Sequence, residues 1–78
     1  MISLAETKEG TRVRIKKIDC GRNLISRLCA FGLREGSESR IIKNDSKSGP
    51  MIIQVFESKV AIGRGQAEKI MVEVLNDE

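Results

Sequence analysis

The side chains able to do chemistry are few, and their types narrow the function before any fold is considered. The 78-residue chain contains no histidine, tyrosine or tryptophan. The commonest general base and the commonest metal ligand are therefore missing. Serines are present, but no base with an orienting partner is arranged to activate one. The soft nucleophiles are Cys20 and Cys29, and two thiolates fall short of the four ligands of a structural zinc site unless a symmetric dimer supplies the rest. They also fall short of a secreted disulfide framework, so reduced thiols in a cytoplasmic protein are expected. The glycines of Gly63-Arg64-Gly65 invite a phosphate-loop reading, but the Walker spacing with its Lys-Ser/Thr is absent. These residues predict a protein that binds a partner and is not an enzyme, with no cofactor and no assigned metal ligand.

Charge is the next signal. The formal net charge is +3, and residues 1–39 carry eight Lys/Arg against five Asp/Glu while residues 40–78 carry six of each. The excess lies in Arg12, Arg14, Lys16, Lys17, Arg22 and Arg27, interrupted by Asp19. That is a local patch, weaker than the field of a typical nucleic-acid-binding domain. The opening residues Met1–Glu6 turn polar at once and no apolar run approaches a bilayer span, so neither a leader nor a transmembrane segment is expected.

The elements that must position these residues follow from periodicity. Without repeats or linkers, residues 1–78 are expected to form one domain. Leu4 is an isolated apolar anchor. Thr11–Ile18 alternates, with Val13 and Ile15 on one face and Arg12, Arg14 and Lys16 on the other, which predicts a half-buried strand. Ile18 falls out of phase and implies a bulge or the strand's end. Leu24, Ile25, Leu28 and Cys29 form the apolar stripe of a short helix, with Asn23 at its N-cap and Gly32 at its stop. Cys29 is expected in the core, because free cysteine is among the most buried residue types. Phe31 and Phe56 are expected to pack.

Further strands are predicted at Ser39–Asn44, Met51–Phe56, Lys59–Ile62 and Ile70–Leu75, with a hairpin loop at Asp45–Pro50 and a tight link at Glu57-Ser58. Gln66–Lys69 is expected to make one helical turn, and Asn76–Glu78 to fray. Gly10, Gly32, Gly36, Gly49, Pro50 and Gly63 mark the turns. The expected fold is mainly β, a small five-stranded, partly open barrel with one short helix after the first strand and a helical turn before the last.

The ordered set Leu4, Gly10, Val13-x-Ile15, Leu24-x-x-Arg27-Leu28-x-x-Phe31-Gly32-Leu33, Gly36, Gly49-Pro50, Ile53-x-Val55, Val60-Ala61-Ile62-Gly63 and Ala67-x-x-Ile70-x-Val72 resembles the FeoA family of ferrous iron transport proteins. The resemblance covers nearly the whole chain and implies an SH3-like barrel. This chain departs from the family pattern at Glu35, where proline is frequent, and at Gly65, which leaves the last helical turn open. The barrel is also similar to the C-terminal domain of iron- and manganese-dependent transcriptional repressors.

The resemblance implies a cytosolic accessory or regulatory role in a bacterial ferrous iron uptake system. The implied partner is the GTPase-linked membrane iron permease, with the chain peripheral to the inner membrane through it, as a monomer or weak dimer. The helix and following turn, with Arg22, Ser26, Arg27 and Arg34, are the preferred docking surface. Arg12, Arg14 and Lys16 form a second candidate. Each stands beside an alternative: a solvated helix face for the first, and for the second a solvated strand face whose charges deter edge pairing. Two competing functions remain, a nucleic-acid-binding barrel and a stand-alone relative of the repressor domain. No nucleic acid is expected, because single-strand binders need exposed stacking rings.

Overall fold

The structure, a computed structural model, describes residues 1–19, 21–44 and 49–75. Cys20, most of the Asp45–Pro50 loop and the end at residues 76–78 lie outside them. Six antiparallel strands form one sheet in the order β1-β6-β2-β3-β4-β5. They are β1 (Ile2–Ser3), β2 (Arg12–Ile18), β3 (Glu38–Lys43), β4 (Met51–Val55), β5 (Ser58–Ile62) and β6 (Ile70–Val74). Helix α1 (Arg22–Ala30) follows β2, and α2 (Arg64–Ala67) joins β5 to β6. The alternating residues Val13, Ile15, Ile41, Met51, Ile53, Val60, Ile62, Ile70 and Val72 point inward and are buried, closed over by Leu4, Leu24, Leu28 and Leu33. Period two in these strands thus converts directly into one apolar interior.

The sixth strand was not expected. β1 is two residues long and pairs Ile2 with Val72 and Ser3 with Met71, too short to show any periodicity. Leu4 opens a single 3-10 turn over Leu4–Glu6 and is fully buried. The irregularity expected near Ile18 is a register shift between Ile15 and Lys17, beyond which β2 continues to pair with β6 as far as Ile70.

Several boundaries differ from expectation. α1 starts at Arg22 with Gly21 as its N-cap, which leaves Asn23 exposed inside the first turn. β4 stops at Val55 because Phe56 takes a left-handed φ of 55° that a strand cannot continue; the loop is therefore Phe56-Glu57, and β5 begins at Ser58. α2 forms in spite of Gly65. Gly63, at φ −62°, is its N-cap and donates its backbone N–H to Gln66 Oε1 at 3.3 Å.

Gly32 ends α1 at φ 92°. Its N–H donates to the Cys29 carbonyl and the Leu33 N–H to the Leu28 carbonyl, both at 2.9 Å, the paired bonds that close a helix through a left-handed residue. Gly10 and Gly36 also have positive φ. An added Cβ on Gly32 would lie 2.6 Å from Phe56 Cε2, but that exposed ring can swing aside, so the backbone penalty dominates. Gly32→Ala should lower stability by about 1–2 kcal/mol, a fall in Tm of roughly 4–16 °C measurable by thermal denaturation.

Asn44 holds one end of the barrel together. Its Nδ2 donates to the Ala5 carbonyl (3.2 Å) and the Thr7 carbonyl (2.6 Å), its Oδ1 accepts from Arg64 (2.6 Å), and its backbone N–H donates to Glu9 (3.0 Å). Arg64 also donates to the Gly49 carbonyl at 3.2 Å. The end of β3, the 3-10 turn and α2 thereby share one part-buried side chain. Asn44→Ala leaves those carbonyls unpaired and should cost about 1–3 kcal/mol, read as a lowered urea midpoint with an unchanged slope.

Candidate functional site

α1 carries the candidate docking face. Its seam of Leu24 and Leu28, spaced i and i+4, is buried against the barrel. One helical step further round, Ile25 is half-buried and Cys29 is exposed. This corrects the core expectation for Cys29: a nine-residue helix lying on a narrow barrel buries one row of side chains, and the adjacent row faces out. Phe31 and Phe56 are likewise not packed inside; they are 41% and 76% exposed. Both flank Gly32, Phe31 in sequence and Phe56 through space.

Ile18, Ile25, Cys29, Arg34 and Glu35 line a shallow groove of about 280 Å³ between the end of β2 and α1. Its walls are mainly apolar, and Arg34 and Glu35 are the two charged residues of its lining. Glu35 accepts the Ile18 backbone N–H at 3.3 Å, so a carboxylate ties the 33–36 turn to β2. Ser37 Oγ, which accepts from the Arg34 N–H at 3.1 Å and donates to the Gly32 carbonyl at 3.3 Å, fixes the other side of the turn.

The predicted cations divide into two environments. Arg12 and Arg14 both reach Glu38, at 3.5 and 3.0 Å, and Arg14 and Lys16 reach Glu73 at 3.7 and 3.9 Å. These side chains are about half exposed, so each pair adds little stability; its effect is to cancel much of the strand's positive field. Arg22 and Arg34 have no acidic partner among the described residues. Arg27 donates to the Ala61 carbonyl of β5 at 3.1 Å, and Ser26 is exposed on the same helix. Positive charge without an ion-pair partner among the described residues therefore lies at the start of α1 and after its end, at Arg22 and Arg34, with Glu35 beside the latter in the 33–36 turn. Among the described residues no three Cys, Asp or Glu side chains are grouped to hold a metal ion, and no helix is long and apolar enough to cross a membrane.

Comparison with known proteins places this arrangement. The model of the FeoA domain matches residues 2–74. The chain belongs to the FeoA domain family. A protein of Methanocaldococcus jannaschii provisionally named Fe(2+) transport protein A is 48% identical over 73 residues, 94% of this chain and 87% of that protein. The crystal structure of an iron uptake regulatory protein, FeoA, superposes with a TM-score of 0.82 at 31% identity, over 95% of this chain and 97% of the other. FeoA structures are SH3-like barrels, and this chain shares that fold. A manganese-dependent transcriptional repressor superposes with a TM-score of 0.80 at 19% identity, over 94% of this chain and 41% of the repressor, which is a likeness of fold alone.

Proposed function

We propose that this chain is a cytoplasmic accessory protein of a ferrous iron uptake system, acting by contact with a GTPase-linked membrane iron permease and not by chemistry of its own. The observation that carries the reading is the FeoA domain match across residues 2–74, joined to a relative named for Fe(2+) transport at 48% identity. The surface around α1 supports a binding role. Arg34 and Glu35 line a groove with Ile18, Ile25 and Cys29, and Arg22, three residues before Ile25 on the same helix, has no acidic partner among the described residues; an apolar centre with charges beside it is what protein partners use. The chain would lie at the membrane through its partner. Capture of the permease from a detergent extract by the immobilised chain, enriched over an unrelated small barrel, is the expected result. No enrichment would count against the proposal.

The exposure of Phe31 and Phe56 favours one second reading, a single-stranded nucleic acid stacked on the two rings. The pairing of Arg12, Arg14 and Lys16 with carboxylates weighs against it. A salt titration with a single-stranded oligonucleotide separates the two, since phosphate contacts give a steep loss of affinity with ionic strength.

A further inference from the structure

We propose that the outer edge of β5 is the docking site for an extended, acidic segment of a partner protein, which joins the sheet as an added strand. The inference rests on the accessory-protein reading above and names the kind of segment that would bind.

β5 ends the sheet, with β4 as its neighbour on one side. The two-residue loop Phe56-Glu57 makes Val55 and Ser58 the hydrogen-bonded pair next to the turn. Ile53 with Val60 and Met51 with Ile62 are the next bonded pairs. Lys59 and Ala61 therefore turn their N–H and C=O groups away from β4. Among the described residues, Arg27's bond to the Ala61 carbonyl is the one contact made to these four groups. The strand contains neither proline nor bulge, two of the devices that blunt an edge; the device it does carry is the charge of Lys59.

The Arg27 contact defines the chemistry of the occupant. An arriving strand must take the Ala61 carbonyl, and the displaced guanidinium then needs an acceptor. A carboxylate on the segment provides it, with Lys59 beside it and Arg22 on the same helix. A second copy of this chain would bring Lys59 and Arg27 against their own counterparts, so like charges disfavour that occupant. At the Ser58 end of the edge, Phe56 projects from the turn with its ring beside Gly32, and Phe31, also exposed, precedes that glycine. These rings would receive an apolar side chain of the segment. Main-chain bonds, a carboxylate for Arg27 and an apolar residue for the rings together describe strand addition.

The test is a titration of the isotope-labelled chain with the peptide Ac-Val-Glu-Val-Glu-Val-NH2, followed by NMR. Shift changes are expected at the Lys59 and Ala61 amides and at the Arg27 Nε–H. A fully N-methylated peptide and a Val-Lys counterpart should each bind at least about tenfold more weakly. Lys59→Pro removes an outward N–H without touching the ladder to β4, and should weaken binding by at least about tenfold. If that variant fails to fold, the N-methylated peptide decides. No binding at millimolar peptide, equal binding of the N-methylated peptide, or shifts away from β5 would overturn the proposal. Concentration-dependent shifts at Lys59 and Ala61 without peptide would identify a second copy as the occupant and overturn it as well. A failed titration with the permease still captured removes the edge site and leaves the accessory reading standing. A successful one with no capture keeps the edge and removes the permease as partner.

Discussion

Leu28→Ala lowers the unfolding free energy by about 2–5 kcal/mol, the range for a buried leucine whose cavity the surroundings cannot fill. A chain of this length has a total stability of roughly 4–12 kcal/mol, so the variant loses a large share of it and part of the population unfolds near body temperature. Leu28 has no exposed surface, and with Leu24 it is one of the two α1 side chains buried in the barrel. Its carbonyl also accepts the Leu33 N–H that closes the helix. Truncation therefore loosens both the docking of α1 and the turn that carries Arg34. Ser26→Ala, on the exposed side of the same helix, should stay within about 0.5 kcal/mol of the parent. Urea denaturation of the two variants measures the contrast; a Leu28→Ala midpoint equal to that of Ser26→Ala would show that α1 does not contribute to the core.

Replacing Arg22 and Arg34 together with glutamate has the largest expected effect on function. Each reversal turns an attraction at the rim into a repulsion, and two of them should weaken permease binding by about 2–4 kcal/mol, roughly 30- to 800-fold. The fold should be untouched, because both residues are exposed and neither pairs with an acid among the described residues. Binding measured at two salt concentrations checks the cause, since a rim charge acts mainly on the association rate and is screened by salt. An equal loss from reversing Arg12 and Lys16 would move the docking surface to the face of β2.

The barrel was legible because the inward positions of its strands are mostly β-branched residues two apart, and because Gly32 occupies a position where a helix must turn left-handed. β1 was invisible for the opposite reason: two residues carry no period, and their pairing depends on β6, almost the whole chain away. The candidate site was legible in its residue types and not in its electrostatics. Glu38 and Glu73 neutralise the β2 cations solely through sheet register, which brings Arg14 opposite both. Cys29 and the two phenylalanines were misplaced by a rule of composition, that apolar and sulfur side chains go inside. A short helix with one buried row and a hairpin tip at positive φ overrode it. The groove beside α1 and the contact of Arg27 with Ala61 depend on residues distant in sequence, and no local pattern announces them.

The order of the strands has a consequence for how the chain is made. β6 lies between β1 and β2, so the latest of the six strands to be synthesised fills an interior position of the sheet. Until Ile70–Val74 has emerged, β1 has no neighbour and β2 has a single one, and the Val13 and Ile15 row waits uncovered. Pairings this distant along the chain are slow to form, because the loop they close must lose its freedom before any contact repays it. The interval between synthesis of β2 and arrival of β6 is thus when the nascent chain is most open to association with others of its kind. Stalling translation just before residue 70 should trap a protease-sensitive chain, and releasing it beyond residue 74 should restore protection.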